Sequence, residues 1–427
     1  MTFSTLGLSP ALLAAVRHLG HSNPTPIQQS AIAPALAGQD VLGSAQTGSG
    51  KTLAFALPLL QRLQPNTSRV RPAQALVLVP TRELATQVGE VLQALAQQLP
   101  QRVKVSIFFG GVSINPQMMG LRGGTDVVVA TPGRLLDLIA HNALKLDQVH
   151  LLVLDEADRM LDLGFAEELA QLLALLPTQR QNLFFSATFN PAVQALAQTL
   201  LVDAVRVEVD ADQQQPVEII QRAITVDPPK RTQLLRHLIK QHAWARSLVF
   251  VATKFAAEIV ADKLRKGGLT AEPFHGELSQ GKRTQVLTDF KAERLQVVVA
   301  TDVAARGLDI AGLPVVVNFD LPRSTQDYTH RIGRTGRAGE PGLAVSFVSA
   351  TTQAHWRLIE KRQQVKLALE SVPGFEAQEV APPASASPDA PAGTRSGGVK
   401  GLRPSKKDKL RAAAALQTAQ AAPTGKA

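Results

Sequence analysis

Short runs of apolar and β-branched residues recur along the chain, and stretches with helical periodicity separate them. In the first half, these runs cover residues 76–79, 103–109, 127–130, 151–154 and 183–185. In the second half, they cover residues 248–251, 297–300, 315–319 and 343–348. Continuous apolar strands that alternate with helices are typical of parallel sheets covered by helices on both faces. The pattern therefore predicts an α/β fold built on parallel sheets.

The strand and helix pattern occurs twice, and a polar stretch that ends in Pro216 separates the two copies. Its sequence, Asp-Ala-Asp-Gln-Gln-Gln-Pro, has the composition of a linker. At 427 residues, the chain has room for two or three domains of about 100–200 residues each. We therefore expect a first domain over residues 1–209, a linker over 210–217 and a second domain over 218–372.

The composition changes after residue 372. Residues 381–398 hold four prolines among alanines, serines and glycines and show no apolar periodicity, so we expect a disordered tail over residues 373–427. Six lysines and arginines follow between Lys400 and Arg411. Two interpretations remain open for this basic segment: a solvated tail, or a loose contact with the phosphates of a nucleic acid.

Charge and composition narrow the classes of function. The formal net charge of +10 suits a polyanionic partner. The absence of cysteine from the sequence excludes disulfide scaffolds, thiol catalysis and cysteine-ligated metal sites. The 2 Trp, 1 Tyr and 15 Phe are too few for rows of base-stacking platforms, so backbone contacts would dominate any nucleic-acid binding. No apolar run approaches about 20 residues and no leader pattern is visible, so we expect a cytoplasmic protein without membrane contact.

A glycine-rich loop follows a short strand at residues 40–43 and precedes a helical pattern. Gly48 and Gly50 allow backbone N–H groups to curl around a phosphate, Lys51 can reach the β- and γ-phosphates, and Thr52 can ligate Mg²⁺. The predicted nucleotide-binding residues of this loop are Ala45, Gln46, Thr47, Gly48, Ser49, Gly50, Lys51 and Thr52. Ala45 stands where the strict motif has glycine, so the loop alone is only suggestive.

Two acidic residues, Asp155 and Glu156, directly follow the buried run 151–154. The carboxyl ends of parallel strands line the ligand crevice of an open sheet. Asp155 is therefore predicted to hold Mg²⁺ beside Thr52, and Glu156 to orient or deprotonate an attacking water. An acidic first turn of a helix is the alternative for this pair alone, but the phosphate loop upstream favours the magnesium site.

The sequence Asp155-Glu-Ala-Asp158 resembles the signature of the DEAD-box ATP-dependent RNA helicases, and the resemblance runs from about residue 3 to residue 347. Residues 154–165 and 181–189 resemble a bacterial, RhlE-type branch of that family. The resemblance implies two tandem RecA-like domains that use ATP and Mg²⁺ and bind RNA mainly through its backbone. It is compatible with a role in ribosome assembly or in RNA decay.

For ATP, the resemblance assigns roles to residues of both halves. Gln28, within Pro24-Thr-Pro-Ile-Gln28, would bind the adenine edge with its amide. Phe3 would stack on the adenine, with ordinary core packing as the alternative. Asp309 would face the ribose, and Arg334 and Arg337 would act as arginine fingers for the γ-phosphate.

For RNA and for coupling, the resemblance again points to both halves. The implied RNA contacts are Arg82, Gly111, Thr131, Arg134, Arg283 and Thr301. The implied coupling residues, which link the ATP state to RNA binding, are Asp158, Ser186, Thr188 and His330. The arginine fingers and the phosphate loop lie in different halves, so we expect hydrolysis to require domain closure.

The expected activity is ATP-dependent local unwinding or remodelling of RNA duplexes and RNA–protein complexes. An ATP-gated RNA clamp with little strand separation carries the same motifs and remains an alternative. A DNA translocase of the wider helicase group is a second alternative. The motif that contains Gln28 and the sequence of residues Asp155–Asp158 both disfavour it.

Overall fold

A computed structural model describes residues 2–45, 48–65, 70–208, 219–305, 312–336 and 341–379 of the chain. Its described part contains two separate parallel sheets, each flanked by helices. The predicted fold class is thus confirmed for this part of the chain. Residues Met1–Ala381 form one unit that holds both sheets.

The first domain is built on a sheet with the strand order β3-β4-β2-β5-β6-β1-β7, and every strand pair in it is parallel. Its strands are β1 (Val41–Ser44), β2 (Ala75–Leu78), β3 (Val105–Phe108), β4 (Val127–Ala130), β5 (Leu151–Leu154), β6 (Gln181–Ser186) and β7 (Val205–Glu208). Its helices are α1 (Pro10–His18), α2 (Pro26–Leu36), α3 (Lys51–Arg62), α4 (Arg82–Ala96), α5 (Asn115–Gly120), α6 (Pro132–Ala140), α7 (Ala157–Asp162), α8 (Ala166–Ala174) and α9 (Pro191–Leu200).

The second domain repeats the arrangement with the strand order β10-β11-β9-β12-β13-β8-β14, again with parallel pairs. Its strands are β8 (Ile219–Thr225), β9 (Ser247–Val251), β10 (Ala271–Phe274), β11 (Val297–Thr301), β12 (Val315–Asn318), β13 (Gly342–Val348) and β14 (Leu369–Glu370). Its helices are α10 (Arg231–Gln241), α11 (Lys254–Lys266), α12 (Gln280–Lys291), α13 (Asp302–Ala305), α14 (Thr325–Ile332) and α15 (Gln353–Gln363). Short 3₁₀ turns lie at Phe3–Thr5, Pro228–Lys230 and Ala350–Thr352.

Each central strand is buried on both of its faces, which explains its continuous apolar sequence. In β4, Val127 and Val129 join one core cluster, while Val128 and Ala130 join the cluster on the opposite face of the sheet. Successive strand side chains point to opposite faces, so a strand between two helical layers must be apolar throughout. The predicted runs agree with the observed strands to within one or two residues at most boundaries.

Four strands lack the continuous apolar signal and were missed from the sequence. The clearest example is β10, whose sequence contains Glu272 and Pro273. This strand is at the edge of the second sheet and, among the strands that the structure describes, pairs only with β11. An edge strand tolerates proline because one side of its backbone makes no ladder hydrogen bonds. The other missed strands, β7, β8 and β14, lie at or next to the opposite edges of the sheets.

The predicted start of the tail at residue 373 is wrong. Phe375 packs against the core of the second domain and against the ring of His237, with ring centroids 5.3 Å apart. The Asp227 carboxylate also accepts hydrogen bonds from the backbone N–H groups of Gln378 and Glu379. The segment up to residue 379 therefore belongs to the second domain. The predicted linker at 210–217 and the tail from residue 380 onward lie outside the described residues.

Within the described residues, none of the helices combines the length and the apolar content needed to cross a bilayer.

Candidate functional site

The site residues gather where the parallel strands of each sheet end. In the first sheet, the neighbouring strands β5, β6 and β1 lead into the acidic motif, the Ser186 segment and the phosphate loop. The neighbouring strands β3, β4 and β2 lead into the segments of Gly111, Thr131 and Arg82. The sheet order therefore divides the carboxyl edge into a nucleotide half and a half that carries the predicted RNA contacts.

A pocket of about 590 Å³ lies next to the nucleotide half of the carboxyl edge, and residues of both domains line it. The first domain contributes Gln28, Lys51 and Thr52 together with the acidic pair, and the second domain contributes Arg334. Three further residues that line this pocket were not predicted from the sequence: Leu84, Gln87 and Glu90 of α4. Those three positions carry no motif of their own, and only the position of α4 beside the loop identifies them.

The phosphate loop holds its lysine in place with a hydrogen bond of its own backbone. Lys51 is the first residue of α3, is 6% exposed, and donates a hydrogen bond from Nζ to the carbonyl of Ala45 at 2.8 Å. Gly50 precedes it with φ of 93°, a left-handed conformation that favours glycine. A Cβ at Gly50 would lie 2.5 Å from the amide nitrogen of Gln28, so a larger residue would displace that side chain.

Gln28 connects the start of α2 to the phosphate loop. Its Oε1 accepts from the backbone N–H of Thr25 at 3.0 Å, and its Nε2 donates to the carbonyl of Gly50 at 2.9 Å. A primary amide can make further hydrogen bonds at both ends, so the predicted contact with adenine is compatible with these two bonds.

The two acidic residues at the end of β5 have opposite electrostatic environments. Burial raises the pKa of Asp155 to about 6, although Lys51 opposes the effect. Burial also acts on Glu156, but the positive charges of Arg159, Lys51 and Arg334 outweigh it and lower the pKa of Glu156. Arg159 Nη1 is 2.8 Å from Glu156 Oε2. Glu156 is therefore the better candidate for a carboxylate that is ionised at neutral pH.

The oxygen ligands at this edge fit a magnesium ion. Asp155 supplies a carboxylate and Thr52 a hydroxyl, and both residues line the pocket. Mg²⁺ prefers oxygen ligands and is usually held by one or two protein groups together with substrate phosphates and water. The donor set therefore matches a metal that arrives with a nucleotide.

Asp158 links the acidic motif to the end of β6. Its Oδ2 accepts hydrogen bonds from the backbone N–H of Thr188 at 2.9 Å and from Thr188 Oγ1 at 2.8 Å. Ser186 Oγ accepts from the backbone N–H of Asp158 at 3.3 Å and donates to the carbonyl of Thr188 at 2.8 Å. Thr188 Oγ1 also accepts a 3.4 Å hydrogen bond from Gln326 of the second domain. A network that starts beside the nucleotide pocket thus reaches the other domain.

The second domain contributes two further groups to the cleft, and a third residue fixes the segment that carries Arg334. Arg283 Nη2 lies 2.7 Å from Glu83 Oε1 of the first domain, and both side chains are less than a tenth exposed. Burial lowers the pKa of His330, with Asp158 opposing and Arg159 and Arg334 reinforcing the effect. Arg331 forms a two-point ion pair with Asp302 at 2.6 and 2.7 Å and so fixes the segment that carries Arg334.

Four predicted RNA contacts are at the carboxyl ends of strands, as expected. Arg82 begins α4, and Gly111 follows β3 with its backbone directly beneath the Arg82 guanidinium. Thr131 precedes α6, and Thr301 ends β11. In contrast, Arg134 is buried and donates from Nη2 to the carbonyl of Val112 at 2.7 Å, so in this structure it supports the Gly111 loop.

Several predicted site residues lie elsewhere or outside the described part. Phe3 is 5% exposed and packs in the core of the first domain, away from the pocket lining, which matches the alternative of ordinary core packing. Its contact with adenine stays a prediction. The remaining predicted residues that lie outside the described residues are Gln46, Thr47, Asp309 and Arg337.

Comparisons with known proteins agree with this geometry. The family model for DEAD/DEAH box helicases matches residues 25–196, and the model for the helicase conserved C-terminal domain matches residues 230–339. The DEAD-box ATP-dependent RNA helicase CshA of Geobacillus kaustophilus is 41% identical over 366 residues, which cover 86% of this chain and 77% of that protein. CshA of Bacillus subtilis is 39% identical over 367 residues, which cover 86% of this chain and 73% of that protein.

Among solved structures, Saccharomyces cerevisiae Dbp5 bound to RNA and ADP BeF3 superposes with a TM-score of 0.76 at 31% sequence identity, over 87% of this chain and 95% of that one. The two bacterial relatives named above are CshA proteins, so the RhlE-type branch stays a prediction. The sequence matches span both domains. The chain therefore belongs to the DEAD-box ATP-dependent RNA helicase family.

Proposed function

We propose that this chain hydrolyses ATP in the pocket between its two domains and couples hydrolysis to local remodelling of RNA duplexes. The observation that carries the proposal is the composition of the pocket: Lys51, Asp155 and Glu156 of the first domain face it together with Arg334 of the second. Phosphoryl transfer needs positioned cations and an oriented water, and here these groups come from two domains.

Each pocket residue has a role that follows from its chemistry. Lys51 binds the β- and γ-phosphates, Gln28 binds the adenine edge, and Glu156 orients the attacking water and accepts its proton. Thr52 and Asp155 would hold Mg²⁺, which when bound neutralises phosphate charge. Arg334 stabilises the negative charge that develops on the transferred phosphoryl group. Arg337 and Asp309 are proposed for the second finger and the ribose contact.

RNA is proposed to lie across the carboxyl edges of both sheets, next to the nucleotide half. Arg82, the backbone at Gly111 and Thr131 serve the first domain, and Thr301 serves the second. These groups bind phosphates and sugars, which positions RNA without reading its sequence. Because both ligands contact both domains, the closed arrangement binds each ligand more tightly when the other is present.

Closure of the two domains is the step that separates the strands of the duplex. We propose that the closed cleft accepts one strand in a bent backbone conformation that a duplex cannot adopt, so the complementary strand is released. Asp158, Ser186 and Thr188 transmit the nucleotide state to this surface through the network that ends at Gln326, and His330 does so through its electrostatic interaction with Asp158. Opening after hydrolysis releases the bound strand. We place this activity in the cytoplasm, since the relatives are bacterial RNA helicases.

The direct test compares steady-state ATPase activity with and without a mixed cellular RNA, for the parent chain and for Glu156→Gln. Glu167→Gln, an exposed acidic residue of α8, is the matched control. We expect RNA to stimulate the parent and the control, and Glu156→Gln to bind nucleotide without turnover. Turnover that does not respond to RNA would contradict the proposal. A duplex-release assay on the same samples separates strand separation from clamping.

A further inference from the structure

A second concave surface lies on the first domain, near the amino ends of β3 and β4. The nucleotide pocket, in contrast, lies at the carboxyl ends of the strands. It is a groove of about 700 Å³ between the C-terminal end of α4 and the turn at Gly123. The cationic side chains that line it are Arg71, Arg102, Lys104 and Arg122. In the described part of the chain, no carboxylate joins them in the lining. We call this surface the basic groove.

Two of the four cations are held in fixed positions. Arg71 Nη1 lies 2.5 Å from Asp126 Oδ2 and donates to the carbonyl of Arg102 at 2.9 Å. Its backbone also bridges to Gly124, which ties residues 70–71 to the turn before β4. Lys104 Nζ donates to the carbonyl of Gly120 at 2.8 Å. The groove is therefore a built feature, whose walls are tied together by hydrogen bonds within the first domain.

The charges of the basic groove are poorly balanced. Asp126 compensates Arg71, but Lys104, Arg102 and Arg122 have no ion-pair partner among the described residues. Arg102 and Arg122 are both exposed, so their guanidinium groups are available to an external ligand. Like charges gathered around one concavity raise its potential and favour the binding of an anion.

The shape and chemistry of the groove favour an extended polyanion. Amide side chains, including Gln97 and Gln101, also line the groove and offer further hydrogen-bond donors. Phosphates spaced along a nucleic-acid backbone match several separate cations better than a single compact anion does. We propose that the basic groove binds the phosphate backbone of RNA that extends beyond the cleft. This inference rests on the proposed function, in which RNA binds to the same domain.

The helix α4 sets the distance between the two sites. Its first turn carries Arg82 at the cleft, and its last turns, at Gln93 and Ala96, border the basic groove. Fifteen residues at a rise of 1.5 Å give a helix about 22 Å long. A short strand that fills the cleft cannot reach the groove, whereas a longer or structured RNA can contact both sites. The groove would therefore increase affinity for long RNA and leave the catalytic step unchanged.

The test measures RNA affinity of the full chain for two probes: a short single-stranded oligonucleotide, and the same strand joined to a stable hairpin. Arg102→Gln/Arg122→Gln removes two charges from the groove. Arg236→Gln/Arg357→Gln removes two charges from exposed positions on α10 and α15 and is the matched control. Arg102→Lys/Arg122→Lys keeps the charge and should keep the affinity. Each titration is repeated over a range of salt concentrations, and thermal stability is recorded for every variant.

We expect the groove variant to bind the short probe normally and to lose hairpin affinity on the order of three- to tenfold, since exposed charge contacts are individually weak. Its slope of log affinity against log salt should fall by roughly 1.4–1.8, the amount expected for two phosphates. An equal loss in the matched control would overturn the proposal in favour of diffuse charge. Unchanged hairpin affinity would also overturn it, as would a loss of stability alone, which would indicate that the cations only stabilise the C-terminal end of α4. If the parent showed no RNA-stimulated ATPase, the proposed function itself would fail, whatever the groove does.

Discussion

Arg283 of the second domain and Glu83 of the first form an ion pair across the cleft, with 2.7 Å between Nη2 and Oε1. Arg283 is in the first turn of α12, and Glu83 is in the first turn of α4, directly beside Arg82. The sequence predicted Arg283 as an RNA contact. In the structure its guanidinium also lies 4.9 Å from the ring of Phe274, and it is available to RNA only if it leaves Glu83. The pair therefore connects domain closure to the surface that we propose for RNA.

We expect Glu83 and Arg283 to act as one unit in domain closure. Removing one partner leaves the other charge buried without compensation, which is costly. Glu83→Gln and Arg283→Gln should each weaken closure in the presence of an ATP analogue and RNA, and the double variant should be no worse than either single one. A double-mutant cycle on fluorescence energy transfer between the domains should give a coupling on the order of 2 kcal/mol.

The matched control for this cycle is the Lys254–Glu277 pair, which is more exposed and lies within the second domain. Exposed pairs contribute at most about 1 kcal/mol, so Glu277→Gln should leave closure unchanged. Additive effects of Glu83→Gln and Arg283→Gln would contradict the coupling. An effect of Arg283→Gln on RNA affinity that Glu83→Gln does not share would instead support a direct RNA contact.

Gly111 should be required for the position of Arg82. Its φ is 74°, and a Cβ there would lie 2.1 Å from Arg82 Nη2. Gly111→Ala must therefore displace the guanidinium and also places alanine in a left-handed conformation that costs about 1–2 kcal/mol. We expect the RNA concentration needed for half-maximal ATPase stimulation to rise on the order of tenfold, consistent with the loss of one charge-assisted contact. Nucleotide affinity should stay unchanged.

The neighbouring Gly110 provides the control, because a Cβ at that position meets no atom within 4 Å. Gly110→Ala should keep RNA stimulation near that of the parent. Equal losses in the two alanine variants would show that the loop as a whole, rather than the contact with Arg82, is responsible.

Closure should weaken in mildly acidic solution because of His330. Burial lowers its pKa in the structure, whereas an imidazole returned to water by opening has a pKa of about 6.5. The open state therefore binds more protons, so the closed state is fully favoured above about pH 6.5 and loses stability as the pH falls towards the lowered pKa. The groups that face the imidazole are Asp158, Asp327, Arg159 and Arg334.

The same energy-transfer measurement, repeated between about pH 7.5 and pH 5.5, tests this prediction; one linked proton allows at most about a tenfold shift per pH unit. His330→Gln should remove most of the pH dependence, and His18→Gln, on the exposed side of α1, should retain it. A pH profile that is identical in the parent and in His330→Gln would show that other groups titrate.

The central strands were predicted well from the sequence, because a strand that is buried on both faces has a continuous run of apolar residues. Val127, Val128 and Val129 are consecutive and fully buried, as a strand between two helical layers requires. By contrast, β10 carries Glu272 and Pro273, which its edge position tolerates. Local periodicity does not carry the strand order, so the sequence alone could not reveal that such residues belong to a sheet.

The contacts of the candidate site also fall into those that could be predicted from the sequence and those that could not. Lys51, Asp155 and Thr188 follow strand ends of one sheet, so motif order and the parallel fold class predict that they gather. The pairing of Glu156 with Arg159 could have been expected from their spacing of three residues, since Glu156 directly precedes α7 and Arg159 is in its first turn. The contact of Arg283 with Glu83 could not have been expected, because it depends on how the two domains pack against each other.

The central claim is that hydrolysis requires Arg334 to meet the phosphate loop of the other domain. The most direct test measures RNA-stimulated kcat and nucleotide affinity for Arg334→Gln, beside the parent and Arg357→Gln, an exposed arginine of α15. An arginine finger contributes about 10³–10⁵ in rate, so we predict a loss of kcat in that range with nucleotide affinity nearly unchanged. Turnover by Arg334→Gln that stays close to that of the parent would contradict the claim that closure completes the catalytic site.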